Sequence, residues 1–217
     1  MYFQSRAEAG VMLAAELQAY RYENTIILAL NDGAVQVGMQ IAAELHATLT
    51  LLLSEKIDVP GESETFGTLN QDGEFVYNAS FSEGQRDDYY SEFHGYLEDQ
   101  KREKMSHMNR LLGSGGIVDE AMLREHNVIV LSDGLPNSAG LDAAMEFMKP
   151  LNILSAIIAA PIASVAAVDR AHLLGDELHI LGVTDNYLDT NHYYEVNDVP
   201  DHDQTLAILN SYVLKWR

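Results

Sequence analysis

Cysteine is absent from the 217 residues of the chain. Disulfide bridges and thiolate metal sites are therefore excluded, and the composition is compatible with a reducing compartment. No apolar stretch approaches the length of a membrane span, and the first residues lack the basic flank and apolar block of a signal peptide. We therefore expect a cytoplasmic protein with no membrane partner.

Basic residues are scarce, since 13 lysines and arginines face 33 aspartates and glutamates, for a formal net charge of −20 at pH 7. A field of this sign repels polyanions over about 8 Å, the Debye length at physiological ionic strength. Nucleic acid is therefore not an expected partner. The one dense basic cluster, Lys101, Arg102 and Lys104, is interpreted as a solvated helix face balanced by neighbouring acids.

Several common enzyme signatures are also missing. The sequence contains no Gly-x-Ser-x-Gly nucleophile elbow, no Walker phosphate loop, no His-Glu-x-x-His zinc pair and no dinucleotide glycine fingerprint. The corresponding enzyme classes are therefore not expected. Acidic residues surround His192, but their spacing lacks the glycine of a calcium loop and favours a solvated acidic loop over a metal site.

Helical and strand patterns alternate along most of the chain. Apolar runs typical of buried strands occupy residues 25–30, 49–53, 128–131, 153–159 and 177–181. Helical periodicity occupies residues 6–20, 34–46, 139–149, 164–174 and 203–216. This alternation predicts one α/β domain over residues 1–217, doubly wound, with a mostly parallel sheet of about five strands. Ligands bind at the C-terminal edge of such a sheet.

The middle of the chain departs from this alternation. Two strand-like segments, 65–69 and 74–78, flank Asp72-Gly73, a pair typical of a hairpin turn. Residues 65–112 are therefore predicted to form a flap within the domain, made of a hairpin and a following helix. Aromatic and methionine side chains between Tyr89 and Met108 mark one face of that helix, which covers either the core or a second subunit. We expect a homodimer.

The most informative segment is the run 127–147, in which an apolar strand meets a turn of small residues and then a helix. Backbone N–H groups in such a turn and at the start of the helix form a positive concavity suited to phosphate. The residues of the turn are Ser132, Asp133, Gly134, Leu135, Pro136, Asn137, Ser138, Ala139 and Gly140. The alternative is an ordinary turn in which Asn137 or Ser138 caps the helix.

This layout resembles the phosphoribosyl-pyrophosphate (PRPP) loop of type I phosphoribosyltransferases. Matching positions extend over nearly the whole chain: Phe3, Arg6, Ala9, Gly10, Lys56 to Gly61, Glu64, Gly67, Pro161 to Ser164, Tyr193, Tyr194 and Glu195 to Asp198. The pattern is similar to a bacterial and archaeal group of stand-alone phosphoribosyltransferase domains whose substrates are often undefined. The resemblance implies transfer of phosphoribose from magnesium-bound PRPP to a nitrogen nucleophile, with release of pyrophosphate.

The resemblance also implies roles for the turn. In the family, two acids end the strand and hold the ribose hydroxyls, and the turn wraps the 5′-phosphate. Here Ser132 replaces the first acid, while Asp133 and Gly134 fit the second acid and its glycine. Three positions differ from the family's threonine, glycine and second threonine: Asn137, Ser138 and Gly140. Asp133 is thus expected to hold ribose and residues 134–140 the 5′-phosphate, with PRPP binding weakened by the altered turn.

Two other segments have implied roles. Asp32, Gly33 and Ala34 correspond to the family's pyrophosphate loop, with an acid in place of its usual arginine. Asp32 would repel pyrophosphate unless it held a metal ion or a cation; the alternative is a turn that simply starts the next helix. Lys56, just past the second strand, is the expected catalytic cation, or else an exposed lysine at the sheet edge.

Two functions are compatible with these residues. The first is a protein with a phosphoribosyl-binding cleft and weak or absent transferase activity, which would be a pentosyltransferase using PRPP and magnesium. The second is a catalytically silent relative that binds a nucleotide, a phosphate or a protein partner. In both interpretations a small phosphorylated ligand is the expected partner.

Overall fold

A computed structural model describes residues 1–62, 64–112 and 118–214. Its helices are α1 (Arg6–Glu16), α2 (Asp32–Leu45), α3 (Glu83–Leu112), α4 (Glu120–Leu123), α5 (Ala139–Met148), α6 (Val165–Leu174) and α7 (His202–Leu214). Its strands are β1 (Thr25–Ala29), β2 (Thr48–Leu51), β3 (Ser54–Asp58), β4 (Thr65–Asn70), β5 (Phe75–Tyr77), β6 (Asn127–Leu131), β7 (Ser155–Ser164) and β8 (Glu177–Thr184). None of the helices in these ranges is long and apolar enough to span a membrane.

Five strands form a parallel sheet in the order β2-β1-β6-β7-β8. The central strands are apolar on both faces because helices cover both faces of the sheet. Successive residues of β1 illustrate this, since Ile27 belongs to the core cluster with α1 and α2, and Leu28 belongs to the cluster with α5 and α6. The predicted α/β fold with a five-stranded parallel sheet is confirmed. Residues 215 and 216 of the last predicted helix lie outside the described residues.

Side-chain caps explain where several helices begin. The Asn31 side chain accepts a hydrogen bond of 2.7 Å from the Ala34 N–H and starts α2. Ser5 and Ser164 cap α1 and α6 in the same way. Each cap satisfies one of the N–H groups that a helix start leaves unpaired. Ser164 is the last residue of β7, and Asn31 comes two residues after the end of β1. Both caps therefore lie at the C-terminal edge of the sheet.

A second sheet of three antiparallel strands, β3-β4-β5, lies beside the C-terminal edge of the parallel sheet. The β4–β5 turn contains Gly73 with a φ of +85°, a conformation that glycine adopts without strain. β4 and β5 match the predicted hairpin. β3 was not predicted, and it extends the small sheet to residues before the predicted flap.

Helix α3 packs the aromatic face identified in the sequence against the chain's own core. Leu97 and Met108 are fully buried there. The side chains partly buried against the same core are Tyr89, Tyr90, Phe93, Met105 and Leu111. Of the two interpretations of this face, packing on the core is the one observed. The homodimer stays a prediction.

Candidate functional site

A cleft of about 390 Å³ opens at the C-terminal edge of the parallel sheet. One wall is the turn between β6 and α5, and the other is the β3–β4 hairpin. The predicted site residues that line it are Lys56, Ser132, Gly134, Leu135, Pro136, Asn137 and Gly140. Asp133, Ser138, Ala139 and the segment 32–34 are not among its described lining residues. The fold thus brings Lys56 to the predicted turn, as expected at this edge of a parallel sheet.

The turn is fixed to the neighbouring strand β7. The Leu135 N–H donates to the Ile162 carbonyl, and the Ser164 N–H donates to the Leu135 carbonyl, each at 2.9 Å. The Ser132 hydroxyl donates to the Gly134 carbonyl at 2.8 Å. Pro136 carries no N–H and restricts the backbone. These bonds make the cleft wall a defined turn rather than a free loop.

The start of α5 leaves several backbone donors free. The Ala139 N–H donates to the Asn137 side-chain oxygen at 3.1 Å. Within the described residues, the N–H groups of Asn137, Ser138, Gly140 and Leu141 have no hydrogen-bond partner. Ser138 occupies the N-cap position, but its side chain makes no capping bond. Such a set of unpaired donors at the positive end of a helix dipole is suited to an anion.

The Ser138 hydroxyl is hydrogen-bonded to another side chain of the same helix region. It donates to Asp142 Oδ2 at 2.7 Å, and the Asp142 side chain is 5% exposed. Arg170 donates through two nitrogens to Asp142 Oδ1, at 2.8 and 2.6 Å. The charge of Asp142 is therefore balanced by Arg170, and the Ser138 proton is not available to a phosphate oxygen.

Asp133 lies in a buried ion pair. Arg6 Nε donates to Asp133 Oδ2 at 2.7 Å, and the two side chains are 1% and 8% exposed. The guanidinium also donates to Asn191 Oδ1 at 2.7 Å and lies 4.3 Å from the centroid of the Tyr194 ring. Gly33 allows this packing, because a Cβ there would overlap the Asp133 carboxylate. The carboxylate expected to hold ribose is thus held by the chain itself.

Two tyrosines of the C-terminal segment cover the same turn. The Tyr194 hydroxyl donates to the Asp133 carbonyl, and the Tyr187 hydroxyl lies against Gly134. Burial raises the pKa of both phenols above the ordinary value of 10.0, and the negative charge of Asp133 raises each further. Both hydroxyls are therefore protonated donors at neutral pH.

The segment corresponding to a pyrophosphate loop forms the start of α2. Gly33 and Ala34 are buried, and the Ala34 N–H is taken by Asn31. Asp32 lies in the first turn of α2, where the helix dipole stabilises a negative charge, and its carboxylate is 3.2 Å from His202 Nδ1. It lines a smaller neighbouring pocket of about 220 Å³. A metal at Asp32 stays a prediction.

The opposite wall contains residues that the sequence did not single out for this site. Lys56 and Thr68 are direct partners in the β3–β4 pair, so their side chains lie on one face of the hairpin. Lys56 is exposed, whereas Thr68 is 1% exposed and its hydroxyl has no partner among the described residues. The two residues are neighbours because β3 pairs with β4, not because they are close in sequence. Residues 65–70 show no regular alternation, so no local pattern indicated Thr68.

Lys104 also lines the cleft, which corrects its interpretation as part of a solvated helix face. Its amino group lies 3.1 Å from Glu55 Oε2 on β3, whereas Lys101 and Arg102 do pair with acids of their own helix. The distance between residues 55 and 104 in the chain explains why the local charge pattern did not indicate this contact.

The residues of the turn do not fit a magnesium site. Magnesium prefers oxygen ligands, commonly carboxylates. Ser132 stands in place of one acid, and Asp133 is paired with Arg6. Within the described ranges, no group of three or more histidines and acids could hold a metal. Asp189 instead caps a short 3₁₀ turn by accepting from the Asn191 N–H at 2.9 Å.

These features define an α/β domain with a turn of unpaired backbone donors at the C-terminal edge of its parallel sheet. No family model matches the chain. It is 25% identical over 213 residues to a Mycobacterium tuberculosis (strain H37Rv) protein whose name is "Putative phosphoribosyl transferase". The alignment covers 96% of this chain and 46% of that protein, so the chain spans about half the length of the curated relatives it matches.

Solved structures share the fold. The protein TT1426 from Thermus thermophilus has a TM-score of 0.75 and 24% identity, with 98% of this chain and 99% of that chain covered. The purine phosphoribosyltransferase from Pyrococcus horikoshii Ot3 has a TM-score of 0.50 and 11% identity, with 92% and 95% covered. The fold is therefore that of the type I phosphoribosyltransferases, as the sequence resemblance implied.

Proposed function

We propose that the chain binds a small phosphorylated ligand in the cleft between the β6–α5 turn and the β3–β4 hairpin. The observation that carries this proposal is the set of unpaired N–H groups at the start of α5, of which those of Asn137 and Gly140 belong to residues lining the cleft, with Lys56 on the facing wall. Backbone donors and a lysine are a common combination at phosphate sites. Solved relatives named as phosphoribosyltransferases support the same ligand class.

We further propose that PRPP-dependent transfer in this cleft is weak or absent. Ser132 cannot replace a carboxylate, and the Asp133 carboxylate is bound to Arg6. The Ser138 hydroxyl is bound to Asp142. Each lost charge-assisted hydrogen bond costs about 1.5–3 kcal/mol, so the loss of two weakens PRPP binding by about two to four orders of magnitude. These contacts favour a cleft that binds a phosphate group but does not transfer phosphoribose.

The binding proposal is tested by calorimetric titration of ribose 5-phosphate into the protein and into Lys56→Met. Loss of a charge-assisted contact is expected to weaken the affinity about ten- to hundredfold. Lys149→Met is the matched control, because Lys149 lies at the other end of α5 and is 70% exposed. We expect its affinity within about twofold of the parent protein. Absence of any binding to the parent protein would refute the proposal.

The catalytic part is tested separately, by incubating the protein with PRPP, magnesium and a panel of nucleobases and measuring pyrophosphate release. We expect no release above the rate without protein. Turnover that depends on a nucleobase and disappears in Lys56→Met would show instead that the cleft is an active transferase site.

A further inference from the structure

We infer that the ligand of this cleft is a phosphomonoester, such as a sugar 5-phosphate or a nucleoside 5′-monophosphate, bound without a magnesium ion. This inference rests on the proposed function and narrows it to one chemical class. A diphosphate ligand normally requires a cation to shield its adjacent charges, and the cleft offers little to hold that cation. The contacts around Asp133, the charges on the two walls and Thr68 lead to this conclusion.

The Asp133 carboxylate cannot turn toward the cleft without losing its contact of 2.7 Å with Arg6 Nε. Arg6 is 1% exposed, and its nitrogens donate to Asp133, Asn191, Asn197 and Asp198. Without Asp133, Arg6 would keep the more distant Asp198, at 3.4 Å, as its ionic partner, which is a weaker pairing for a charge at such depth. Gly33 packs against the same carboxylate, so the carboxylate has no alternative position on the side of α2. The turn therefore presents no free carboxylate to a metal ion.

Arginine neutralises the second acid beside the turn as well. Asp142 is held by two nitrogens of Arg170, so neither buried carboxylate near the turn contributes net charge to the cleft. On the facing wall, Lys104 is paired with Glu55. Lys56 and the unpaired N–H groups remain as the positive elements.

The remaining charges suit a single phosphate group. A phosphomonoester carries about −1.5 to −2 charges at neutral pH, which one lysine and several backbone donors can stabilise. Asp58 lines the cleft two residues beyond Lys56 on the same strand. A second, adjacent phosphate would meet this carboxylate and the field of a chain with net charge −20.

Thr68 gives an independent indication that the cleft binds a polar group. The residue is one of those lining the cleft, is 1% exposed and has a hydroxyl with no partner among the described residues. A buried hydroxyl without a partner is unfavourable unless something else supplies the hydrogen bond. A phosphate oxygen or a sugar hydroxyl meets this requirement, and Lys56 is its direct neighbour across the hairpin.

The experiment is calorimetric titration of the unmodified protein with ribose 5-phosphate and, separately, with PRPP. Each titration is made with magnesium and with a chelator, and magnesium alone is titrated as the control. We expect ribose 5-phosphate to bind with a Kd that magnesium changes by less than about twofold. PRPP is expected to bind no more tightly than ribose 5-phosphate in either condition.

The outcomes separate this inference from the proposed function. If ribose 5-phosphate binds but magnesium tightens the binding of either ligand by about tenfold or more, the metal-free site is refuted and the phosphate cleft stands. If neither ligand binds under any condition, the proposed function fails and the inference fails with it.

Discussion

At the scale of single residues, Thr68 occupies a position that the folded chain alone does not explain. A buried hydroxyl without a partner costs about 1–3 kcal/mol, and valine has the same shape without this cost. Thr68 is one of the residues lining the cleft and is paired with Lys56 across the two strands. A role of this hydroxyl in ligand binding is therefore best tested by a substitution that removes the oxygen and keeps the volume of the side chain.

Thr68→Val is expected to raise or leave unchanged the free energy of unfolding and to weaken ribose 5-phosphate binding about five- to tenfold, the value of one neutral hydrogen bond. Thermal unfolding and calorimetry measure the two effects. Thr68→Ser is the control, because it retains the hydroxyl and should retain most of the affinity. A valine variant with unchanged affinity would show that the ligand does not use this oxygen.

The sequence predicted some residues of the cleft and not others for a physical reason. Ser132, Asn137 and Gly140 belong to one continuous turn, so local pattern was enough to bring them together. The partner of Asp133 lies 127 residues away in the chain. Arg6 was recognised only as a position matching the family, because no local pattern indicates that its guanidinium meets this carboxylate.

At the scale of elements, the segment around Phe3 and the segment around Tyr194 meet beside the β6–α5 turn. The Phe3 N–H donates to the Tyr193 carbonyl and the Glu195 N–H donates to the Phe3 carbonyl, both at 2.9 Å. Arg6 follows directly and crosses from α1 to Asp133. The N-terminal segment thus joins the C-terminal segment to the cleft wall.

Arg6→Ala is expected to lower the free energy of unfolding by about 3–5 kcal/mol, because it leaves the buried Asp133 carboxylate without its partner. Arg21→Ala removes an exposed pair with Glu44 and should cost no more than about 1 kcal/mol. Chemical denaturation of both variants measures the difference. Equal, small losses in the two variants would show that the buried pair contributes little to stability.

Among the strands, the one that the sequence did not predict is β3. Its five residues have one buried side chain, Ile57, and three charged ones, so neither alternation nor apolar content marks a strand. β3 forms because its backbone pairs with β4, which comes later in the chain. By contrast, β1 is fully buried, and its apolar run was evident without any partner.

At the scale of the whole molecule, composition predicted the sign of the electric field but not its distribution. The chain has a net charge of −20, yet the two buried acids beside the turn are each paired with an arginine. The charged side chains lining the cleft are two acids, Glu55 and Asp58, and two lysines, Lys56 and Lys104, so their formal charges balance. Such a distribution requires the folded arrangement, since Arg170 and Arg6 are far from the turn in sequence.

Alkaline pH is expected to unfold the protein. Burial raises the folded-state pKa of Tyr20, Tyr187 and Tyr194 above the unfolded value of 10.0. Their contribution to stability is complete below about pH 10 and decreases above it, because the unfolded state then loses protons that the folded state retains. Tyrosinate absorbance and circular dichroism, recorded together, should change in one transition. Complete ionisation of all 11 tyrosines without loss of ellipticity would contradict this expectation.

The contact between Arg6 and Asp133 also determines when the cleft can form during protein synthesis. Arg6 leaves the ribosome before its partners Asp133, Asn191 and Asp198. Until residue 198 has emerged, the guanidinium lacks part of its set of partners, and Tyr194 cannot cover the turn. The cleft is thus completed only after almost the whole described chain has been made, so a nascent chain stalled before that point exposes Arg6 and holds no finished site.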